Sequence, residues 1–179
     1  MELDKAINSR KSVRKFSNKK PDWRDIIECI DSIRHAPMAG GNFSIKAILV
    51  DDMEKINNIS KACQQDFVSG ANYLVIICSA ESRTTNAYGS KGKDFLRQQA
   101  GAAIENFLLK IEEKGLDTCW IGYFSEEQIK KELKIPENSK VEALFPIGYA
   151  SKQFKIKPKR RISLDNVLYF NVYGKKRMN

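Results

Sequence analysis

Histidine is nearly missing from this chain: His35 stands alone among 179 residues. A structural zinc site of the Cys/His kind needs more ligands than that. The four cysteines, Cys29, Cys63, Cys78 and Cys119, are far apart and form no C-x-x-C pair. They read as buried free thiols of a reducing compartment. His35 reads as a helix-end residue facing the last carbonyls. No apolar run approaches the length of a membrane span; the longest is residues 73–78. The start carries Glu2 and Asp4 and no apolar h-region, which argues against a signal peptide and makes a cytoplasmic location the expectation. Phosphate-binding glycine loops are missing too. Gly89-Ser90-Lys91-Gly92-Lys93 lacks the spacing and the final Ser/Thr of a Walker A, and it fails as a dinucleotide fingerprint. No catalytic triad or metal-ligand cluster is visible. Redox or group-transfer chemistry on such a chain would rely on an organic cofactor.

Charge, by contrast, is plentiful and unevenly placed. The chain is 42% hydrophobic and 30% charged, with a net charge of +9, and its length suits a single domain over residues 1–179. Residues 152–179 hold nine Lys/Arg and one acid, Asp165, whereas the first 151 residues hold 22 basic and 21 acidic residues. The body is therefore nearly neutral and the surplus sits in a basic C-terminal arm. Such an arm could bind nucleic acid, pack on a partner or surround an anionic ligand. Its aromatic residues do not interleave with the cations as stacking platforms would, which disfavours nucleic acid. The apolar patch at residues 167–170 points instead to packing on a second subunit.

Periodicity predicts a short helix over 2–8, a polar loop over 9–21, and a helix over about 23–35 capped by Asp22. Ile26, Ile30 and Ile33 share one face of that helix, with Ile27 beside it. A breaker follows at residues 37–42. A strand at 45–50 leads into a helix over about 53–63, capped by Asp51-Asp52, with Met53, Ile56 and Ile59 inward. Residues 73–78 form a central strand buried on both faces, and residues 79–92 form a polar loop. The longest helix is expected over 93–114, with a small-residue stretch at residues 100–103 and a stop at Gly115. An extended segment at 117–123 precedes a capping box, Ser125-Glu126-Glu127-Gln128, and a helix to about 133. A last strand over 141–149 carries Pro146 and is expected at an edge or a bulge.

The densest chemistry is Ser9-Arg10-Lys11-Ser12-Val13-Arg14-Lys15-Phe16. Forked guanidinium groups, a point charge and small hydroxyls suit a phosphate monoester, though a solvated basic loop has the same composition. Three further blocks stand in order: Ala36-Pro37-Met38-Ala39-Gly40-Gly41-Asn42; Gly115-Leu116-Asp117-Thr118-Cys119-Trp120-Ile121-Gly122-Tyr123-Phe124, continuing through Leu133-Lys134-Ile135-Pro136 to Ile147-Gly148-Tyr149; and Arg161-Ile162-Ser163-Leu164-Asp165-Asn166-Val167. Together they resemble the FMN-dependent nitroreductase family along almost the whole chain.

The resemblance implies an α+β fold: a mostly antiparallel central sheet flanked by helices, in an intertwined homodimer with two FMN sites at the interface. Arg10, Ser12 and Arg161 would hold the FMN phosphate, with Lys11 or Arg160 helping. Arg14 would face the pyrimidine side of the ring and stabilise its reduced, anionic form. Pro37, Met38, Ala39 and Asn42 would run along one side of the ring, and Gln65 would reach its edge. Ile121 would pack beneath the ring, and the Gly122 N–H would meet N5. The implied activity is ping-pong hydride transfer from NAD(P)H to a quinone, nitroaromatic or similar small-molecule acceptor. It needs neither metal nor protein nucleophile. The chain also departs from the pattern: Met38 replaces the usual Ser, an extra glycine stands nearby, and Phe43-Ser44-Ile45 replaces Q-P-W. Other flavin chemistry on the same fold, such as reductive dehalogenation or flavin fragmentation, therefore stays open. So do a flavin-binding protein without turnover and a nucleic-acid-binding protein.

Overall fold

Unbroken apolarity over residues 73–78 puts Tyr73–Ala80 (β2) in the middle of the sheet, with both faces buried. The computed structural model of the chain describes residues 1–80, 82–155 and 162–178. Ile45–Val50 (β1) and Ser139–Gly148 (β4) flank β2, and the two-residue Asp117–Thr118 (β3) follows β4, giving the order β1-β2-β4-β3 with every strand pair antiparallel.

Alternation along β2 splits the core in two. Tyr73, Val75 and Ile77 face one cluster, which includes Ile26 and Cys29 of Trp23–Asp31 (α2, following α1 at Leu3–Ser9). The same cluster takes Phe107, Leu108 and Ile111 from a 23-residue helix. Leu74, Ile76 and Cys78 face the other cluster, with Ile56 and Ile59 of Met53–Cys63 (α3). The sheet is thus a filling between helical layers. Asp22 caps α2 by accepting from the Arg24 N–H, and Asp52 caps α3 by accepting from the N–H groups of Glu54 and Lys55. Met53, expected inward, is exposed, because it opens the first turn of α3 on the solvent side.

Residues 79–92 are not a loop. Ser82–Tyr88 form a helix (α4) that turns directly into the long helix Lys91–Glu113 (α5). A Cβ on Gly92 would lie 2.6 Å from the Thr85 Cα, so only glycine lets the two helices meet this closely. The polar composition of α4 hid it from a reading based on apolar periodicity. Glu126–Leu133 (α6) packs beside α3 and begins at Ser125, yet Ser125 makes no side-chain cap bond. The expected capping box does not form. Instead Glu126 Oε1 accepts the Val141 N–H at 2.9 Å, tying the first turn of α6 to β4. His35 closes a 3-10 turn at Ser32–His35, where its Nε2 lies 4.0 Å from the Asp31 carboxylate.

Pro146 proves to be interior, because β4 lies between β2 and β3. Leu144 exchanges both backbone hydrogen bonds with Ile121. Residues two apart on a strand send their backbone groups to the same side. The Pro146 nitrogen therefore faces the break between Thr118 and Ile121, where no donor is required. The expected bulge exists, but it lies nearer the start of β4, where the register slips opposite Ile77 and Cys78. All four cysteines are free and buried.

Candidate functional site

The basic N-terminal strip is stitched onto the far edge of the sheet. Arg10 ends α1, its N–H bonded to the Ala6 carbonyl at 3.1 Å. Ser12 then pairs with Thr118 in a parallel bridge, the Val13 N–H bonds the Thr118 carbonyl at 2.9 Å, and Phe16 pairs with Ala150. The strip is therefore extended, and its side chains alternate. Val13 is fully buried, Lys11 lies 3.9 Å from Asp117, and Lys15 donates to Gln153 at 2.7 Å. Ser12 and Arg14 face solvent on the opposite side, and Arg10 is half-buried. Alternation thus sorts the basic residues: the lysines are engaged by the body, and the arginines are presented outward.

Beyond β3 the chain continues along β4, where Ile121 pairs with Leu144. Trp120 is 44% exposed and packs edge-on to Phe145, Ile121 is buried, and Gly122 is exposed. The nearest atom to a Cβ built on Gly122 is Trp120 Nε1 at 3.8 Å, so the backbone there is open to a ligand's approach. Among the described residues, no hydrogen bond or ion pair engages the side chains of Arg10, Ser12, Arg14, Asn42 or Gln65, or the Gly122 N–H. Gln65 lies just beyond the end of α3. The Ala62 carbonyl there accepts the Ser125 N–H at 2.9 Å, so Gln65 is near the segment that leads away from Gly122.

Pro37, Met38, Ala39 and Asn42 lie elsewhere. Their loop enters β1 at Ile45, opposite Ser79, whereas Thr118 stands opposite Ile147 at the other end of β4. Strand spacings put the two groups about 14 Å apart across the sheet and about 23 Å apart along it. One chain therefore holds the two sets of expected site residues at opposite corners. Arg160 and Arg161 lie outside the described residues, as does much of the 152–161 segment. Residues 162–178 carry a 3-10 turn at Leu164–Asn166 and expose Val167, Val172 and Tyr173.

The loop at 37–42 is tightly determined. Gly40 adopts φ +57°, and a Cβ there would lie 2.5 Å from the Tyr88 hydroxyl of α4. Sequence reasoning missed Tyr88 because its helix was read as a loop. We expect Gly40→Ala to destabilise the protein by about 1–2 kcal/mol, the cost of a left-handed conformation for a residue with a side chain. An unchanged urea midpoint would contradict that reading of the loop. Pro37, Met38 and Ala39 also line a cavity of about 370 Å³ against Phe95, Gln98, Gln99 and Ala102 of α5.

A family model described as the nitroreductase family matches residues 7–69 and 52–149, from the strip through the end of β4. The chain belongs to the nitroreductase family. A nitroreductase family protein of Clostridium novyi NT has 27% identity and a TM-score of 0.78, with 98% of this chain and 97% of that chain covered. An NADPH:FMN oxidoreductase from Vibrio harveyi, solved with NAD+, has 22% identity and a TM-score of 0.82, with 99% of this chain and 79% of that one covered. An iodotyrosine deiodinase of Thermotoga neapolitana is 21% identical over 166 residues, or 78% of this chain and 84% of the relative. The sequence expectation of the family and of its α+β fold is borne out. Among the described residues, no helix is long and apolar enough to cross a membrane.

Proposed function

We propose that this chain is an FMN-dependent oxidoreductase that takes electrons from NAD(P)H and passes them to a small acceptor such as a quinone or nitroaromatic. One observation carries the reading: Arg10, Ser12 and Arg14 share the outward side of a strip fixed to β3, and none is engaged by another described residue. Two unpaired guanidinium groups and a hydroxyl on a strip joined to Thr118, four residues before the open Gly122 backbone, make a donor set that fits a phosphate attached to a flat ring system. The Vibrio harveyi enzyme, described as an NADPH:FMN oxidoreductase, supports the choice of cofactor.

In this reading Arg10 and Ser12 bind the phosphate, with Arg160 and Arg161 brought in from the arm. Arg14 supplies a fixed positive charge near the ring, which favours its electron-rich form. The Gly122 N–H orients the ring edge, and buried Ile121 keeps water from the face it covers. When bound, FMN supplies hydride acceptance from the nicotinamide and donation to the acceptor. The separation of Asn42 from Arg14 supports a two-fold pair of chains, each giving one corner to a site. Half-exposed Gly101 and Ala102 on α5 leave a flat helix face where a second copy can approach.

The test is direct. The purified protein should be yellow, release FMN on denaturation, and lose its visible flavin absorbance when mixed anaerobically with NADH or NADPH. A colourless protein that ignores added FMN would end the proposal. The Thermotoga neapolitana relative favours a second reading, reductive dehalogenation. Turnover of a halotyrosine with a quinone left untouched would select it.

A further inference from the structure

Buried polar side chains mark places where a fold has accepted a cost for a specific arrangement, because each must find a partner. Three of those described, Ser44, Thr84 and Gln99, are 5%, 2% and 4% exposed and meet at one point. Gln99 projects from the core side of α5. Its Oε1 accepts the Ser44 N–H at 3.0 Å, and its Nε2 donates to the Asn42 carbonyl at 3.2 Å. A single amide thus spans Phe43 and holds the backbone on either side of it. The Ser44 hydroxyl lies 3.3 Å from the Thr84 hydroxyl of α4, and the Ser44 carbonyl accepts the Ala80 N–H at 2.8 Å.

The Ser44 bonds anchor the start of β1. The bond to Asn42 does something separate. Asn42 precedes the strand, its N–H already bonds the Ala39 carbonyl at 3.1 Å, and its side chain is unengaged. Fixing the carbonyl as well leaves the residue little backbone freedom. We propose that Gln99 is a positioning residue that sets the direction of the Asn42 side chain toward the flavin ring. The proposal rests on the FMN reading above. Gln99 itself touches no cofactor; it acts through the residue whose peptide it holds.

The proposal predicts coupling, which an independent packing role would not produce. FMN titrations of the wild type, Gln99→Met, Asn42→Ala and the double variant supply the cycle. Asn42→Ala should weaken FMN binding about tenfold, the worth of one hydrogen bond of ordinary strength. Gln99→Met should do nearly the same, and the double variant should be no worse than Asn42→Ala. Gln99→Leu also removes both amide contacts without placing an ionisable group in the core, so it should follow Gln99→Met. It also covers the case in which the methionine variant fails to fold. The visible spectrum of the bound flavin should shift in the same variants. Wild-type affinity and spectrum in both Gln99 variants would overturn the proposal, as would losses that simply multiply in the double variant. A wild-type protein that binds no FMN would remove the FMN reading itself and the proposal with it. Normal wild-type binding with silent Gln99 variants would remove the proposal alone.

Discussion

Replacing Arg10 by alanine is expected to weaken FMN binding by about 1.5–3 kcal/mol, or roughly 10- to 150-fold. The figure is that of a hydrogen bond to a charged group. The surroundings make the change clean. Arg10 is held by its backbone at the end of α1, and no described residue uses its guanidinium. Removing the side chain breaks no hydrogen bond or ion pair among the described residues, so the fold should persist. Arg10→Lys should fall between the two, because it keeps the charge and loses the fork. Lys15→Ala is the control: it lies on the same strip but its amine is already engaged by Gln153. A fluorescence titration at two salt concentrations would measure all three. Wild-type affinity in Arg10→Ala would sink the phosphate role.

Alkali should produce the second large effect, this time on stability. Burial pushes the Cys29 thiol up from its ordinary value of 9.0 to about 12, although Lys114 and Lys110 pull the other way. Burial likewise lifts Cys63 to about 11. It lifts Cys78 to about 11 as well, with Glu142 and Glu126 adding to the rise. Each thiol keeps its proton in the folded chain at a pH where the unfolded chain has lost it. Between pH 9 and about 11 the folded state therefore holds more protons, and stability falls as pH rises. The slope is about 1.4 kcal/mol per pH unit for each thiol, or about 4 kcal/mol for three. Against a typical net stability of about 5–15 kcal/mol, that is a large share of the total. Below pH 9 the three thiols are neutral in both states and contribute no slope. Urea unfolding from pH 8 to 11 would show the trend, and Cys63→Ala should flatten it. A profile level across that range would refute the account.

Much of the fold was legible because its elements carry one strong signal each. Residues 73–78 are apolar without a break, and only burial on both faces explains that. Asp22 and Asp52 sit where caps belong, and both helices start where they indicate. What escaped had weak or divided signals. The α4 helix is polar, short and glycine-bounded, so its composition matches a loop; close packing at Gly92 holds it in place. Pro146 reads as an edge signal, yet an interior strand tolerates it where its neighbour breaks off. The capping box at Ser125 does not form, and the first turn of α6 is tied down instead by Glu126 at Val141.

The candidate site divides the same way. The strip at residues 10–14 and the segment at 121–122 were readable as motifs, and the structure joins the strip to Thr118, three residues ahead of Ile121. Their separation from residues 37–42 was not readable, because sequence order says nothing about which corner of a sheet a loop occupies. Gln99 was invisible for a different reason. A glutamine in a long helix is ordinarily solvated, and only the fold shows it pinned under a loop more than fifty residues away in sequence.

The strip's pairing has a consequence for how the protein is made. Phe16 waits for Ala150, and the Ser17 N–H waits for the Tyr149 carbonyl. On a ribosome adding about 5–20 residues per second, the delay is on the order of 10 s. For that time the arginine-bearing strip lacks its partners at residues 149 and 150. Chains stalled before Tyr149 should be cut within residues 10–17 by trypsin and protected there once β4 is complete. The arginine-bearing edge is thus translated well before the residues it pairs with.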